Sequence, residues 1–145
     1  MVSPLHISMR PEFQAVVRIL QEAQLPTEDL SASQLEHFSY AGPATHPTGL
    51  VGLELFGDVA LLRSLAVVSS RRGYGDGQRL LAHAEDRARS AGVRELYLLT
   101  TTAEAFFAKC GYTRAARDTA PPAIRATREF SGLCPASSAF MSKPL

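Results

Sequence analysis

Tryptophan and cysteine are scarce in this sequence: its 145 residues include no tryptophan and two cysteines. Charge of one sign is also lacking, because 15 basic residues nearly balance 14 acidic ones and the formal net charge is +1. This balance argues against nucleic acid or an anionic membrane as the main partner, although it is compatible with a local basic patch for a phosphate ligand. No segment approaches the ~20 apolar residues of a membrane-spanning helix. We therefore expect neither a nucleic-acid partner nor a membrane partner.

The start of the chain lacks the features of a secretory signal. The segment Met1–Ile7 has neither a basic region nor a long apolar run. We therefore expect a cytoplasmic protein with reduced thiols, and a bridge between Cys110 and Cys134 is the alternative. The hydrophobic fraction of 46% is ordinary for a folded protein, and the length predicts a single domain over residues 1–145.

Apolar periodicity predicts strands and helices that alternate along the chain. Apolar runs from Leu50 to Phe56 and from Val59 to Val68, separated by Gly57-Asp58, predict a β-hairpin with a two-residue turn. The second run is nearly all apolar, which is typical of a central strand buried on both faces. The other predicted strands are residues 5–9, 37–40, 96–100, 112–115 and 139–143. Two helices are predicted to begin at Pro11 and after Thr27, and three more to span residues 75–91, 101–111 and 122–130. This alternation indicates an α/β or α+β fold with a mixed sheet.

Capping residues predict where several helices begin or end. Thr27, followed by two acidic residues, is typical of the cap of a short second helix. Thr101 and Glu104 have capping-box spacing for a helix that ends near Gly111. Gly92 is expected to end the helix that begins near residue 75.

The segment from Leu65 to Gly77 is the strongest indication of function. It runs from a predicted strand, through a turn with two arginines and three glycines, into a predicted helix. Glycines let the backbone turn tightly, and the N–H groups and dipole of the first helical turn attract an anion. The segment lacks the Gly-Lys-Ser/Thr ending of the P-loop and the glycine spacing of the dinucleotide fingerprint. The alternative is a simple turn with solvated arginines.

Two motifs in this part of the sequence resemble those of the GNAT superfamily of N-acetyltransferases. The first is Arg72-Gly73-Tyr74-Gly75-Asp76-Gly77, which matches the pattern Gln/Arg-x-x-Gly-x-Gly/Ala and follows a strand similar to the superfamily's. The second runs from Ala103 to Tyr112, with an aromatic pair and a final Gly-aromatic dipeptide. The resemblance implies a GNAT-like fold, a mixed, largely antiparallel central sheet flanked by helices. It also implies acetyl-CoA as the acyl-donor cosubstrate, bound in the splay between the two central strands.

The resemblance further implies roles for individual residues. The pantetheine arm would pair with the backbone of Leu65, Ala66 and Val67, the pyrophosphate would bind the amides of Arg72, Gly73, Tyr74, Gly75, Asp76 and Gly77, and the channel near the thioester would be lined by Phe106 and Phe107. Phe107 departs from the pattern, because many members have a tyrosine there that protonates the leaving thiolate. Thr100 also departs, since an asparagine that contacts the cofactor is common at its position.

Three segments resemble a narrower branch of the superfamily, the arsenic-resistance (ArsN-like) proteins. These segments are residues 57–67, 99–107 and 132–140. The resemblance implies an amino-acid-like substrate, such as an arsenic- or phosphorus-containing amino-acid antibiotic, and a role in arsenical or antimetabolite resistance.

Acetyl transfer to an amine requires a group that accepts a proton, directly or through water. If Gly57-Asp58 is a two-residue turn, Glu54 lies opposite Leu61 and is a diagonal neighbour of Arg63 on the same face of the sheet. Glu54 is then the best candidate for the general base, and Arg63 for binding a substrate carboxylate through its planar fork. A purely structural ion pair between these two residues is an equal alternative.

The remaining polar candidates give weaker indications. Ser138, with Ser137, precedes the last predicted strand, where loops commonly shape substrate pockets, so it is a candidate for hydrogen-bonding the substrate. Arg125 and Arg128 either help to bind an acidic substrate or form a solvated helix face. The four histidines are scattered and indicate no metal site. Buried, inert cysteines are favoured over a direct arsenical site.

The predicted function is direct acetyl transfer from acetyl-CoA to the primary amine of a small, amino-acid-like molecule. One alternative is acetylation of another small amine or of a protein N-terminus. Others are a non-catalytic acyl-CoA-binding sensor and a thiol-based arsenical-binding protein. A homodimer is left open.

Overall fold

The computed structural model describes residues 6–145. The first residue of the predicted first strand lies outside this range, as does most of Met1–Ile7, on which the argument against a secretory signal depends. Within the range, the strands are β1 (Ile7–Met9), β2 (Phe38–Ala41), β3 (Gly49–Phe56), β4 (Val59–Val67), β5 (Glu95–Thr100), β6 (Thr113–Arg114) and β7 (Ala139–Pro144), and the α-helices are α1 (Phe13–Glu22), α2 (Asp76–Ser90), α3 (Glu104–Lys109) and α4 (Pro122–Arg125).

The seven strands form one sheet in the order β1-β2-β3-β4-β5-β7-β6. Strands β1, β2 and β3 pair antiparallel, and β7 pairs antiparallel with both β5 and β6. The pair β4–β5 is parallel, with Val59–Leu61 opposite Glu95–Tyr97. The sheet is therefore mixed and largely antiparallel, as the sequence predicted.

The hairpin and the helix after it are confirmed. Strands β3 and β4 flank Gly57, whose φ of +73° lies in the left-handed region that a two-residue hairpin turn requires. Strand β4 has a neighbour on each side and is central. Helix α2 ends at Ser90, and Gly92 follows with a φ of +92°, as expected for a glycine that stops a helix.

The two N-terminal helix predictions are wrong in detail. Helix α1 begins at Phe13 rather than Pro11, because Glu12 keeps an extended backbone with ψ of 139° and is the N-cap. The described residues directly after Thr27 form a turn and not a helix. A 3₁₀-helix begins later, at Ala32, where Ser31 forms a capping box with Gln34. A better pair of capping residues therefore lies four positions beyond the predicted one.

The C-terminal helix predictions also need correction. Helix α3 is capped by Ala103 rather than by Thr101. Helix α4 ends at Arg125 instead of continuing to residue 130, and a separate π-helix spans Glu129–Leu133. The hydroxyl of Thr127 donates to Ile124 O at 2.7 Å, a local bond of the kind that competes with the helical ladder.

The chain divides into two compact units. The first contains Ser64–Ala84 and the chain up to Leu53, and the second contains Glu54–Arg63 and Glu85–Leu145. The core of the first unit joins the apolar face of α1 to the strands, and comprises Val16, Ile19, Leu20, Leu35, Phe38, Leu50 and Ala66. The core of the second comprises Leu61, Ala120, Ile124 and Phe140. In the described part of the chain, every helix is too short or too polar to cross a membrane.

Candidate functional site

The glycine-rich loop lies between a strand and a helix, as the sequence predicted. Strand β4 ends at Val67, a 3₁₀ turn covers Ser69–Arg71, and α2 begins at Asp76. Gly73 and Gly75 have φ of +86° and +82°, a backbone conformation that side chains with a Cβ rarely adopt. A Cβ on Gly73 would meet nothing within 4 Å. Glycine is therefore needed there for the shape of the backbone and not for lack of space.

The loop is connected to the end of β4. Arg72 Nε donates a hydrogen bond to Val67 O at 3.3 Å. A cavity of about 90 Å³ lies beside this contact and is lined by Ile19, Glu22, Ala23, Val67, Val68, Ser69 and Arg72. The predicted pantetheine strand and the predicted pyrophosphate loop thus border one cavity in the first unit.

Asp76 differs from the other predicted loop residues, because its side chain is turned inward. Its carboxylate is 1% exposed and is paired with Arg71 at 2.9 Å and with Arg79 at 3.4 Å. The side chain of Asp76 therefore holds Arg71 and Arg79 in place, and the predicted role of its amide in binding pyrophosphate stays a prediction.

The second unit holds the predicted thioester-channel residues. The rings of Phe106 and Phe107 pack edge to face with centroids 5.1 Å apart, and Phe107 also contacts Tyr112 edge to face at 5.7 Å. Phe107 is 6% exposed. Thr100 Oγ1 accepts a hydrogen bond from Ala103 N at 3.0 Å, so this hydroxyl already serves the start of α3.

Glu54 and Arg63 meet, as strand alternation predicted, but they are joined by a third residue. Arg63 Nη1 lies 3.1 Å from Glu54 Oε2, and Arg63 Nη2 lies 3.2 Å from Glu129 Oε2. The Arg63 side chain is fully buried, that of Glu129 is 7% exposed, and that of Glu54 is 17% exposed. Two carboxylates thus share one guanidinium, and Glu54 is the more accessible of the two.

The sequence reasoning missed Glu129. It is the one acidic residue in the sequence after Asp118, and a lone acid in a basic and apolar segment is the signal that could have drawn attention to it. The structure places it at the start of the π-helix Glu129–Leu133, a rare element that is frequent at functional sites.

Ser64, which follows Arg63 in β4, has a left-handed backbone. Its φ is +61°, and it is not a glycine. Such a conformation costs about 1–3 kcal/mol and tends to occur at functional sites. Ser64 lies between Arg63 and Leu65, the first residue of the predicted pantetheine strand.

Ser138 lies immediately before β7 and is 5% exposed. Its Oγ is buried and has no hydrogen-bond partner among residues 6–145. Its carbonyl accepts a bond from Arg117 Nη2 at 2.9 Å. An unpaired buried hydroxyl is unusual enough to keep Ser138 as a candidate.

Arg125 is occupied by the backbone of its own segment. It donates to Ala120 O at 3.0 Å and, more closely, to Asp118 O. Both cysteines are free. Burial and the Glu129 carboxylate raise the pKa of the Cys134 thiol to about 12, and burial also raises the pKa of Cys110.

A second buried polar cluster also escaped the sequence reasoning. Tyr112 OH donates to Glu85 Oε2 at 2.9 Å, and Lys143 Nζ lies 3.0 Å from the same oxygen. Lys143 also donates to Cys110 O at 3.0 Å. Burial and the Glu85 carboxylate raise the pKa of Tyr112 well above its ordinary value. The phenol of Tyr112 is therefore held within this cluster by its bond to Glu85.

Residues 7–112 match the model of the acetyltransferase (GNAT) family. The chain is 43% identical over 63 residues to the amino-acid acetyltransferase of Ralstonia nicotianae, which covers 43% of this chain and 14% of that protein. It is 28% identical over 127 residues to the amino-acid acetyltransferase of Neisseria meningitidis serogroup A, which covers 84% of this chain and 29% of that protein. The chain thus spans less than a third of the length of these curated relatives.

Solved structures share the fold. N-acetylglutamate synthase from Neisseria gonorrhoeae, complexed with coenzyme A and N-acetyl-glutamate, gives a TM-score of 0.82 at 24% identity, over 100% of this chain and 36% of that one. The protein Rv2747 from Mycobacterium tuberculosis, in complex with CoA and NLQ, gives 0.76 at 19% identity, over 97% of this chain and 99% of that one. Since the family model covers most of the sequence, this chain belongs to the acetyltransferase (GNAT) family.

Proposed function

We propose that the protein is an acetyl-CoA-dependent N-acetyltransferase that acts on the primary amine of a small, amino-acid-like molecule with a second acidic group. The observation that carries this proposal is the loop between β4 and α2. Two left-handed glycines and two arginines lie in this loop, and Arg79 lies near the start of the 15-residue helix that follows. Such a helix start favours negatively charged groups.

The loop residues fit the phosphates of acetyl-CoA. Gly73 and Gly75 permit a close approach of the backbone, and Arg71, Arg72 and Arg79 add positive charge. When bound, acetyl-CoA supplies an acetyl group activated as a thioester. The solved relative from Neisseria gonorrhoeae is a complex with coenzyme A, which supports this assignment.

Glu54 accepts the amine proton in the proposed reaction, directly or through one water. As that proton leaves, the amine nitrogen bonds to the acetyl carbon and the carbon–sulfur bond breaks. Phe107 has no proton to give, so the leaving thiolate takes one from water, and the hydroxide formed takes up the proton that Glu54 accepted. Arg63 is a positioning residue in this scheme, because its buried fork already contacts Glu54 and Glu129. It therefore serves the substrate through Glu54.

The substrate class rests on two likenesses that converge. The curated relatives are named amino-acid acetyltransferases, and the Neisseria gonorrhoeae structure contains N-acetyl-glutamate. The sequence resemblance to the arsenic-resistance branch implies an amino-acid-like substrate, such as an arsenic- or phosphorus-containing amino-acid antibiotic. Both support an amino-acid-like substrate, and the second acidic group is proposed from the N-acetyl-glutamate of the Neisseria gonorrhoeae structure. A cytoplasmic location and a homodimer stay predictions.

The experiment is an amine panel in which the release of the CoA thiol from acetyl-CoA is followed. The panel contains L-glutamate, analogues with a phosphinate or an arsinate in place of the side-chain carboxylate, L-glutamine, a simple alkyl amine and a short peptide. L-Glutamine is the matched control, since it differs from glutamate in charge and hardly in size. We expect the acidic amino acids to be the fastest substrates. Equal rates with glutamine and the alkyl amine would contradict the substrate class.

The alternative functions predict different results. A non-catalytic sensor would bind acetyl-CoA and release no thiol with any amine. A thiol-based arsenical-binding protein would bind arsenite until Cys110 and Cys134 are blocked. This last reading requires the two cysteines to lie close enough together to share one arsenic atom.

A further inference from the structure

Asp76 is a negative residue in a loop that we propose binds phosphate. Its side chain is 1% exposed at the start of α2. Coulomb's law alone would make this carboxylate unfavourable for an anionic ligand nearby. Its hydrogen bonds suggest why it is present.

The Asp76 carboxylate holds two arginines from either side of the loop. Arg71 Nε donates to Oδ2 at 2.9 Å and Arg71 Nη2 donates to Oδ1 at 3.1 Å, which is the bidentate geometry of a strong pair. Arg79 Nη1 donates to Oδ1 at 3.4 Å and to Tyr74 O at 2.8 Å. The second arginine is thus tied both to the carboxylate and to the loop backbone.

Both arginines keep part of their hydrogen-bonding capacity. Among the described residues, Arg71 Nη1 and Arg79 Nη2 have no hydrogen-bond partner. The side chains are 36% and 41% exposed. The Arg71 guanidinium also lies 4.6 Å from the centroid of the Tyr74 ring, which limits its orientation further. Two cations are therefore fixed in place with donors left over.

We infer that Asp76 is a positioning residue that fixes Arg71 and Arg79 as a pair of donors for the pyrophosphate of acetyl-CoA. Arginine side chains lose considerable rotamer freedom when they bind a ligand, and a pre-arranged pair has lost much of it beforehand. This gain outweighs the repulsion between the buried carboxylate and the ligand. The inference rests on the proposed function.

The test is Asp76→Asn, with the dissociation constant of CoA measured by calorimetry. Asparagine has nearly the same shape and removes one negative charge, so a purely Coulombic effect would tighten CoA binding. Positioning predicts the opposite sign, a dissociation constant at least tenfold higher. Asp86→Asn is the matched control on the same helix: Asp86 is 78% exposed and pairs only with Arg89 in the described chain, so it should change CoA affinity less than twofold.

Dephospho-CoA, which lacks the 3′-phosphate, distinguishes the two phosphate sites. If the arginines hold the pyrophosphate, Asp76→Asn raises the dissociation constants of CoA and of dephospho-CoA by the same factor. A loss confined to CoA would overturn the pyrophosphate assignment. Unchanged or tighter binding of both ligands would overturn the positioning role itself.

Two further variants keep the inference testable if Asp76→Asn does not fold. Arg71→Lys and Arg79→Lys leave Asp76 intact and replace a planar fork with a single ammonium. Each should raise the dissociation constant of CoA several-fold, and no change in either would refute the pairing. If the wild-type protein does not bind CoA, the proposed function is refuted together with the inference. If the wild-type protein binds CoA and the variants bind it equally well, only the inference is refuted.

Discussion

Arg63 binds two carboxylates, and they differ in how far solvent can reach them. Glu54 is 17% exposed and Glu129 is 7% exposed. A general base must reach the amine or a water next to it. Replacing Glu54 and Glu129 separately by glutamine can therefore distinguish a catalytic role from a structural one.

Glu54→Gln should lower kcat by roughly 10²–10⁴-fold while the dissociation constant of acetyl-CoA stays the same. Gln has no carboxylate to take the proton, and it still accepts a hydrogen bond from Arg63. The plot of kcat against pH should also no longer show the ionisation of a general base. Steady-state rates from pH 5 to 9 and calorimetric binding of acetyl-CoA measure these effects.

Glu129→Gln is the matched control for that variant. It removes the same charge from the same guanidinium at the less exposed position, so it should lower the melting temperature and keep the wild-type pH profile. Losing one partner of a buried ion pair costs about 3–5 kcal/mol at most. If Glu54→Gln only lowered stability and left kcat intact, the ion pair would be purely structural.

The contact between Glu54 and Arg63 could be predicted because it is local, whereas the roles of the two residues stay predictions. Glu54 and Arg63 lie on the two strands of one hairpin, so strand alternation was sufficient to bring them together. Glu129 comes from a distant segment, and no sequence periodicity relates it to the hairpin. The ion pair between Asp76 and Arg79 could also have been predicted, because an acid and an arginine three positions apart on a helix are expected to meet.

At the scale of elements, the loop between β4 and α2 depends on two glycines with positive φ. Alanine at such a position costs about 1–2 kcal/mol in backbone strain. We expect Gly75→Ala to raise the dissociation constant of CoA at least tenfold, or about 1.4 kcal/mol. The changed loop no longer presents its amides in the binding geometry. Calorimetric titration measures the affinity, and urea unfolding measures the cost to the fold.

Gly57→Ala separates strain from binding. Gly57 has a φ of +73° in the β3–β4 turn, and a Cβ there would meet nothing within 4 Å. Its backbone cost should therefore resemble that of Gly75→Ala, while CoA affinity stays at the wild-type value. Equal CoA affinities for the two variants would contradict the loop's role in binding.

Elements with strong local signals were predictable, and those decided by competing local bonds were not. Two apolar runs around Gly57 determine the hairpin, and a long apolar face followed by Gly92 determines α2. The segment after Pro122 has helical periodicity, yet Thr127 bonds to Ile124 O and α4 ends at Arg125. Periodicity does not report such a side-chain bond.

At the scale of the whole molecule, the alternation of strands and helices predicts the class of fold but not the order of the strands. Strand β7 lies between β5 and β6 in the sheet, although β6 comes first in the chain. Apolar periodicity within one segment does not specify which strands pair with each other. The resemblance to the GNAT superfamily implied a mixed, largely antiparallel sheet, and the order of its strands comes from the structure alone.

The stability of the molecule should fall at alkaline pH. Burial and neighbouring carboxylates raise the pKa of Tyr112 and of Cys134 in the folded state. An unfolded chain releases these protons near the ordinary values of about 10 for a phenol and 8.5 for a thiol. Above pH 8.5 the folded state therefore holds more protons than the unfolded state, so the free energy of unfolding decreases as pH rises. Below that pH the contribution is fully present, and urea unfolding from pH 7 to 11 measures the slope.

Tyr112→Phe tests which group dominates this slope. The variant loses the hydrogen bond to Glu85, so it should be less stable at pH 7 by about 1–3 kcal/mol. Its stability should nevertheless decline less between pH 10 and 11, because the folded state no longer retains a phenolic proton that the unfolded state loses. Tyr74→Phe, the same change on a ring that is 58% exposed, is the control and should follow the wild-type profile. An unaltered alkaline slope in Tyr112→Phe would show that the Tyr112–Glu85 pair does not make the fold sensitive to base.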